Sequence, residues 1–286
     1  MAKNNTSSVV QMKRRKDKTK NWMHSFLLPL AAIWMLPIFL VLSISLLPAS
    51  NPKTTALGLF PESASFSNYI LIWKQNPLFG HLINSLLITV PSVILTVLVG
   101  SMMAFALARL QMRGKKLMFG VLVGAMVLPM ASIIVATYKI LQYLNLYNSL
   151  VGLVLVYTAL GIPFATIMIR NAFMAIPDDT YEAALIDGAS KWRIYWSIYL
   201  PLARPSLAVV IVWQSMMSWN DFLLPLVSIA DNALKPLVLV PLAYRGIYLS
   251  QPGGLFAILV VVSIPMVVIF LLVQKNLVNG LSGAVK

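Results

Sequence analysis

Six long apolar stretches, at about residues 25–47, 82–108, 117–138, 150–169, 207–229 and 255–273, leave this chain few ways to fold in water. Each is near the roughly 20 residues needed to cross a bilayer core. With 59% of its 286 residues hydrophobic, 10% charged and a mean hydropathy of +0.83, the chain is too apolar for a soluble domain of this size. Inside a membrane each segment must satisfy its own backbone, which only helices and closed barrels achieve. The expected fold is therefore all-α: a polytopic transmembrane helix bundle of six spans over residues 22–286, preceded by a basic tail over residues 1–21. The first run is longer than the roughly 7–15 residues of a signal-peptide core and carries Pro29 and Pro37, so it is expected to stay in the mature protein.

Six spans put both termini on one side, and the basic residues say which. Of 22 Lys and Arg residues, 17 fall in the tail (Lys3, Lys13, Arg14, Arg15, Lys16, Lys18, Lys20), the turn Arg109–Lys116, the segment holding Arg170, Lys191, Arg193 and Arg204, and the C-terminus. Only Lys53, Lys74, Lys139, Lys235 and Arg245 fall on the opposite face. The positive-inside rule then makes the richer face cytoplasmic, with both termini and residues 171–206 on it. A tail of this kind beside a span reads as an anchor to anionic lipid rather than a nucleic-acid arm, so no nucleic-acid partner is expected. Cysteine is absent, which excludes disulfides and thiolate metal sites.

Residues 171–206 are the longest polar interruption with order of its own. Asp178 and Asp179 follow Pro177, and Asp179 with Glu182 has capping-box spacing, which predicts a short helix burying Tyr181, Ala184 and Leu185 on one side. Gly188 then ends or bends it. A second helix is predicted from Ser190 as N-cap, with Ile194, Tyr195, Ile198 and Tyr199 as an apolar stripe, until Pro201 stops it. Two such helices are too small for a core of their own. Their apolar faces must be buried on a partner, on the membrane surface or on the chain's own membrane helices.

The string Glu182-Ala183-Ala184, two residues, Asp187-Gly188-Ala189, running on to Leu200-Pro201 and Pro205, resembles the EAA loop of the membrane subunits of bacterial ABC importers. That resemblance implies the architecture of a type I ABC importer permease in the bacterial cytoplasmic membrane. It implies that Tyr181, Glu182, Ala183, Ala184, Asp187, Gly188, Ala189, Leu200 and Pro201 couple to a separate ATPase. In those roles Glu182 and Asp187 would make caps and polar contacts, the alanines would allow close approach, and Gly188 would supply the bend. The implied partners are a second homologous permease subunit, two copies of the ATPase and an extracytoplasmic solute-binding protein. ATP and magnesium would sit on the ATPase, and this chain would bind no cofactor or metal.

The fifth apolar stretch holds the densest polar and aromatic cluster: Trp213, Gln214, Ser215, Ser218, Trp219, Asn220 and Asp221. A carboxylate there is costly unless paired, near the interface or facing water, which marks Asp221 as a functional candidate. Trp213, Gln214, Ser218, Trp219, Asn220 and Asp221 are accordingly the candidates for lining a substrate path. Indole faces on sugar C–H surfaces, with amide and carboxylate groups for the hydroxyls, would suit a carbohydrate. Helix packing through Asn and Ser, with tryptophans in the interfacial belt, explains the same residues equally well. Trp219-Asn220-Asp221-Phe222-Leu223-Leu224-Pro225 also resembles a stretch of the carbohydrate-uptake branch of these importers, where the acid is commonly Glu. Asn84-Ser85 and the ending Gly280-Leu281-Ser282-Gly283-Ala284-Val285-Lys286 resemble the smaller, maltose-type permease subunit of that branch. There the outside segment corresponding to Ala230–Gly254 approaches the docked binding protein.

No phosphate-binding loop is present, since Arg113-Gly114-Lys115-Lys116 lacks both the earlier glycine and the hydroxyl. His24 and His81 fall on opposite faces and cannot share a metal, and no His-Glu-x-x-His or Gly-x-Ser-x-Gly occurs. With these absences, the resemblance implies a transport subunit rather than an enzyme, importing a carbohydrate. The alternatives are a permease for a polyol or sugar phosphate, an ATP-independent secondary transporter or channel, and an intramembrane enzyme.

Overall fold

The computed structural model describes residues 4–48, 61–244 and 252–283. Twelve α-helices follow one another there: α1 (Asn4–Ser45), α2 (Ser67–Gln75), α3 (Leu78–Arg109), α4 (Lys115–Val127), α5 (Met130–Tyr143), α6 (Leu150–Met174), α7 (Asp178–Ile186), α8 (Lys191–Ile194), α9 (Leu200–Leu202), α10 (Arg204–Asn220), α11 (Leu223–Ser228) and α12 (Pro252–Gly283). A π-helical turn, Tyr195–Tyr199, joins α8 to α9, and 3-10 turns occupy Asn232–Leu234 and Leu237–Tyr244. No strand occurs among the described residues.

Four helical segments are long and apolar enough to cross a membrane: His24–Ser45, Leu78–Arg109, Leu150–Met174 and Pro252–Leu272. The number rises to six if each of two bent pairs counts as one span. The expected third span, 117–138, is one of these pairs, with α4 and α5 meeting at 108°. Pro129 is the cause. It lacks an N–H and holds Leu128 in extended backbone at φ −72°, ψ 118°, so the helix ends and restarts. The expected fifth span, 207–229, is likewise not continuous. Its helix α10 stops at Asn220, Asp221 turns extended, and α11 begins two residues later. Pro91, Pro163 and Pro265, by contrast, lie within unbroken helices. At the N-terminus α1 runs through most of the basic tail, and α3 starts at Leu78 rather than 82. Between α1 and α3 lies α2, which the sequence did not announce.

Two compact units divide the chain, one of residues 1–72 and 246–260, the other of residues 73–245 and 261–286. In the first, Asn68 on α2 donates its amide to the carbonyls of Ser45 (3.1 Å) and Leu47 (2.5 Å), capping the end of α1. The second is organised by α3 packed along α6 and α10. Its α3 face carries small side chains, with Ser85, Thr89, Ser92, Thr96, Gly100 and Ala104 all buried. Such residues let helices approach closely where no water is available to drive them together. Ser92 donates to Ile88 O at 2.6 Å and Thr158 on α6 to Val154 O at 2.7 Å, so these hydroxyls are satisfied within their own helices.

Candidate functional site

Residues 171–206 form a built loop. Helix α7 begins at Asp178 with Pro177 as N-cap and no side-chain cap, so the expected Asp179–Glu182 capping box does not form. Asp178 and Asp179 instead occupy the first turn, where the helix dipole favours negative charge. The helix ends in a Schellman motif: Ala189 N–H bonds Ala184 O at 3.0 Å and Gly188 N–H bonds Leu185 O at 3.0 Å. Gly188 sits at φ +77°, and a Cβ there would meet nothing within 4 Å. The glycine is required by the backbone and not by crowding. Ser190 caps α8 as expected, accepting from Arg193 N–H at 3.3 Å.

Pro201 does not stop the second helix. Helical structure runs on to Leu202, because the wider π turn at Tyr195–Tyr199 precedes it and Pro201 falls in the first residues of α9, where no N–H is needed. The chain breaks at Ala203, and the two arms, Lys191–Leu202 and Arg204–Asn220, meet at 78°.

The apolar faces of the loop are buried on the chain's own helices. Ala184, Ile194, Tyr195, Tyr199 and Ala203 share a core with Phe105 of α3 and Ile169 and Phe173 of α6. Phe105 is its centre, with ring centroids 6.2 Å from Phe173, 6.4 Å from Tyr181, 5.4 Å from Tyr195 and 5.2 Å from Tyr199. Tyr195 also hydrogen-bonds Ser101 at 2.7 Å, and Leu200 packs at the edge of the core. Leu185, expected to be buried, is exposed, because the turn that carries Ala184 inward points it outward. Glu182, Ala183, Asp187 and Gly188 are exposed with it, and Ile186 is 86% exposed. The loop therefore presents a small, partly apolar tip on a rigid base. Phe105→Leu, which keeps apolar volume but loses the ring edges, should cost about 1–2 kcal/mol. A fall in the melting temperature of the extracted protein measures it, and unchanged melting would mean the ring geometry contributes nothing.

A second site lies between α6 and α10. A cavity of about 280 Å³ is lined by Tyr157, Gly161, Trp213, Gln214, Asn220 and Asp221, with Leu160, Met217 and Leu223 as apolar wall. Asp221 sits at the break after α10 and accepts from Tyr157 OH at 2.8 Å and from Leu223 N–H at 3.2 Å. The helix break thus delivers the carboxylate to both donors. Gln214 donates to Tyr157 O at 3.0 Å, while its Oε1 is buried and unpartnered. Only glycine fits opposite, since a Cβ at Gly161 would lie 2.2 Å from that oxygen and 2.8 Å from Thr96 Cγ2 on α3. Trp213 stacks on Phe164 with centroids 4.2 Å apart.

Of the six path candidates, Trp213, Gln214, Asn220 and Asp221 come together here. Ser218 and Trp219 do not line this cavity. Ser218 is buried and donates to Gln214 O at 2.9 Å, and Trp219 is buried with its indole N–H on Val262 O of α12 at 3.0 Å. Tyr157 escaped the sequence reading because it stands in an apolar run, where only its hydroxyl marked it.

The Asn84-Ser85 pair has a different task. Asn84 donates to Ala233 O at 2.7 Å and Lys235 O at 3.2 Å, and Ser85 accepts from Leu237 N–H at 2.8 Å. With His81 Nδ1 on Lys235 O at 2.7 Å, they pin the segment after α11 to the start of α3. Residues 245–251 of the expected outside segment, and the last three of the Gly280–Lys286 ending, lie outside the described residues. Among the described residues no cluster of His, Cys, Asp or Glu could hold a metal ion.

A loop with an exposed tip on a helical frame, and a polar cavity between two helices of the same frame, are features that a membrane component of a transport system would use. From residue 82 to 283 the sequence matches the family of binding-protein-dependent transport system inner membrane components, and the chain belongs to that family. It is a multi-pass membrane protein. Among its relatives, the diacetylchitobiose uptake system permease protein NgcG of Streptomyces coelicolor is 32% identical over 91% of this chain and 86% of its own. The trehalose transport system permease protein SugB of Mycobacterium tuberculosis is 31% identical, covering 88% and 92%. A chain in the crystal structure of a bacterial ABC transporter involved in import of the acidic polysaccharide alginate superposes with a TM-score of 0.75 at 25% identity, covering 91% of this chain and 97% of that one.

Proposed function

We propose that this chain is the permease subunit of an ATP-driven, binding-protein-dependent importer of a carbohydrate, forming one half of the translocation path. The observation that carries the reading is the loop. Its Glu182, Ala183, Asp187 and Gly188 stand exposed on a base locked into α3 and α6, as a part built to be pushed from outside the membrane would be. The named sugar-uptake relatives support carbohydrate as the substrate class, and the cavity has the chemistry for it: an indole, two amides and a carboxylate within an apolar wall.

In this reading the loop and both termini face the cytoplasm, where two ATPase subunits carry the ATP and magnesium. Their closure on ATP displaces α7 through Glu182–Ala189, and the spans rock about the cavity to expose it to one side and then the other. A second permease subunit completes the path, and a solute-binding protein delivers the sugar at the opposite face. This chain itself hydrolyses nothing.

Tagging the chain and extracting it gently from its native membrane tests the reading. A second permease and two copies of a phosphate-loop ATPase should co-purify, and in proteoliposomes with the binding protein the complex should accumulate one of a panel of trehalose, diacetylchitobiose and maltotriose in an ATP-dependent way. Recovery of the chain alone, active without ATP, would replace this reading with a secondary transporter. Accumulation of a polyol or sugar phosphate in preference to every neutral oligosaccharide would move the substrate class.

A further inference from the structure

The one ion pair among the described residues lies neither at the loop's tip nor at the cavity. Arg109, the last residue of α3, pairs with Asp178 in the first turn of α7. The same guanidinium donates to Phe173 O at 3.0 Å, in the last turn of α6, and to Ile176 O in the connector that follows. Its carbon also lies 5.3 Å from the centre of the Tyr199 ring in the π turn. One planar group therefore joins the ends of α3 and α6, the start of α7 and the π turn at Tyr195–Tyr199.

Burial separates a mechanical role from a stabilising one. The Arg109 side chain is 9% exposed, but that of Asp178 is 78% exposed. An ion pair with so exposed a partner adds little to stability. What it does is aim. Only Ala175, Ile176 and Pro177 lie between α6 and α7, so a push on the tip would turn α7 about those three residues. Asp178, at the near end of α7, moves with it, and a guanidinium gripping both Asp178 and the Ile176 carbonyl must follow. A planar fork of donors fixes the carboxylate and two carbonyls in one geometry, whereas the three rotatable donors of an ammonium on a flexible stem do not. Helix α3 carries the displacement onward, since Thr96 faces Gly161 and Gln214 at the cavity wall.

We infer that Arg109 is the positioning residue that transmits displacement of α7 to α3, so that the coupling loop and the cavity move together. The inference rests on the import reading above. It assigns a coupling role to a residue outside the EAA string and outside the cavity.

The test uses the complete importer in proteoliposomes, given ATP, the binding protein and whichever panel sugar the unsubstituted complex accumulates. ATP hydrolysis and sugar uptake are measured together. In Arg109→Gln the sugar moved per ATP should fall about tenfold, with hydrolysis itself changed by no more than about twofold. Arg109→Lys, which keeps the charge but not the fork, should fall between. Asp178→Asn leaves the buried carbonyl contacts in place and should lower the ratio about threefold at normal assembly. An unchanged ratio in an assembled Arg109→Gln complex overturns the inference. If Arg109→Gln fails to assemble, Asp178→Asn decides: a lowered ratio supports transmission, and an unchanged one makes Arg109 merely structural. A failure of the import reading shows differently, as an unsubstituted complex whose uptake ignores ATP.

Discussion

Asp221→Leu is expected to cut uptake by about a hundredfold while ATP hydrolysis by the assembled complex persists. Two donors converge on that carboxylate, Tyr157 OH at 2.8 Å and Leu223 N–H at 3.2 Å. A hydrogen bond to a charged acceptor contributes about 1.5–3 kcal/mol; the buried Tyr157 hydroxyl left unpaired adds its desolvation cost of about 1–3 kcal/mol, while the exposed Leu223 N–H can turn to water, so the total loss is about 2.7 kcal/mol or more. The leucine would also favour continuing α10 through the break at which Asp221 turns extended, carrying α11 out of register. Asp221→Asn keeps one acceptor oxygen for Leu223 N–H, and its NH2 can donate to the Tyr157 hydroxyl oxygen, so it should cost only about threefold. Tyr157→Phe removes one donor and its partner's bond together, and should fall between the two. Uptake assays beside the amount of assembled complex check the series. Equal activity in Asp221→Leu and Asp221→Asn would mean the carboxylate's bonds do not hold the cavity.

At Gly188 the expected order is Asn above Ala above Val, with Gly188→Val losing about thirtyfold in uptake at normal membrane insertion. Space does not set this order, because a Cβ there meets nothing within 4 Å. The φ of +77° does. An L-residue in the left-handed region costs about 1–2 kcal/mol, asparagine least and β-branched residues most. To escape that strain the chain must give up the Schellman bonds to Ala184 and Leu185 and re-aim the tip at Glu182–Asp187. The fraction of molecules able to couple falls about tenfold for each 1.4 kcal/mol of strain. Uptake in whole cells, normalised to the chain's amount by immunoblot, measures it. A valine variant as active as the asparagine one would mean that the tip's aim does not matter.

Much of this was legible in the residues. Continuous apolar runs announced helices at α1, α3, α6 and α12, because a segment surrounded by lipid must close its backbone bonds on itself whatever its neighbours do. The loop was legible for the same reason in reverse, as polar chain with caps and punctuation where lipid would forbid it. Ser190 capped its helix and Gly188 ended the one before it, both local acts of backbone chemistry.

What the residues could not reveal depended on partners distant in sequence. In an apolar span, a side chain facing lipid and one facing another helix read alike, so Phe105 and Phe173 gave no sign that they form the seat of the loop. Arg109 counted as one more positive charge, until α6 and α7 came round to its guanidinium. Hydropathy also passes through Pro129 and Asp221 without a break, since it averages over composition while a helix ends on a missing N–H or a diverted backbone. Trp219 and Asp221 are two residues apart and look like members of one polar cluster, yet one donates to α12 and the other accepts from α6. The sequence by itself determined that this is a helical membrane chain with an ordered polar loop between its spans, because period, length and local caps are properties of neighbouring residues. Only the tertiary structure decided which side chains line the cavity and which one ties the loop to the spans, because those are properties of helices brought together from 64 to 94 residues away.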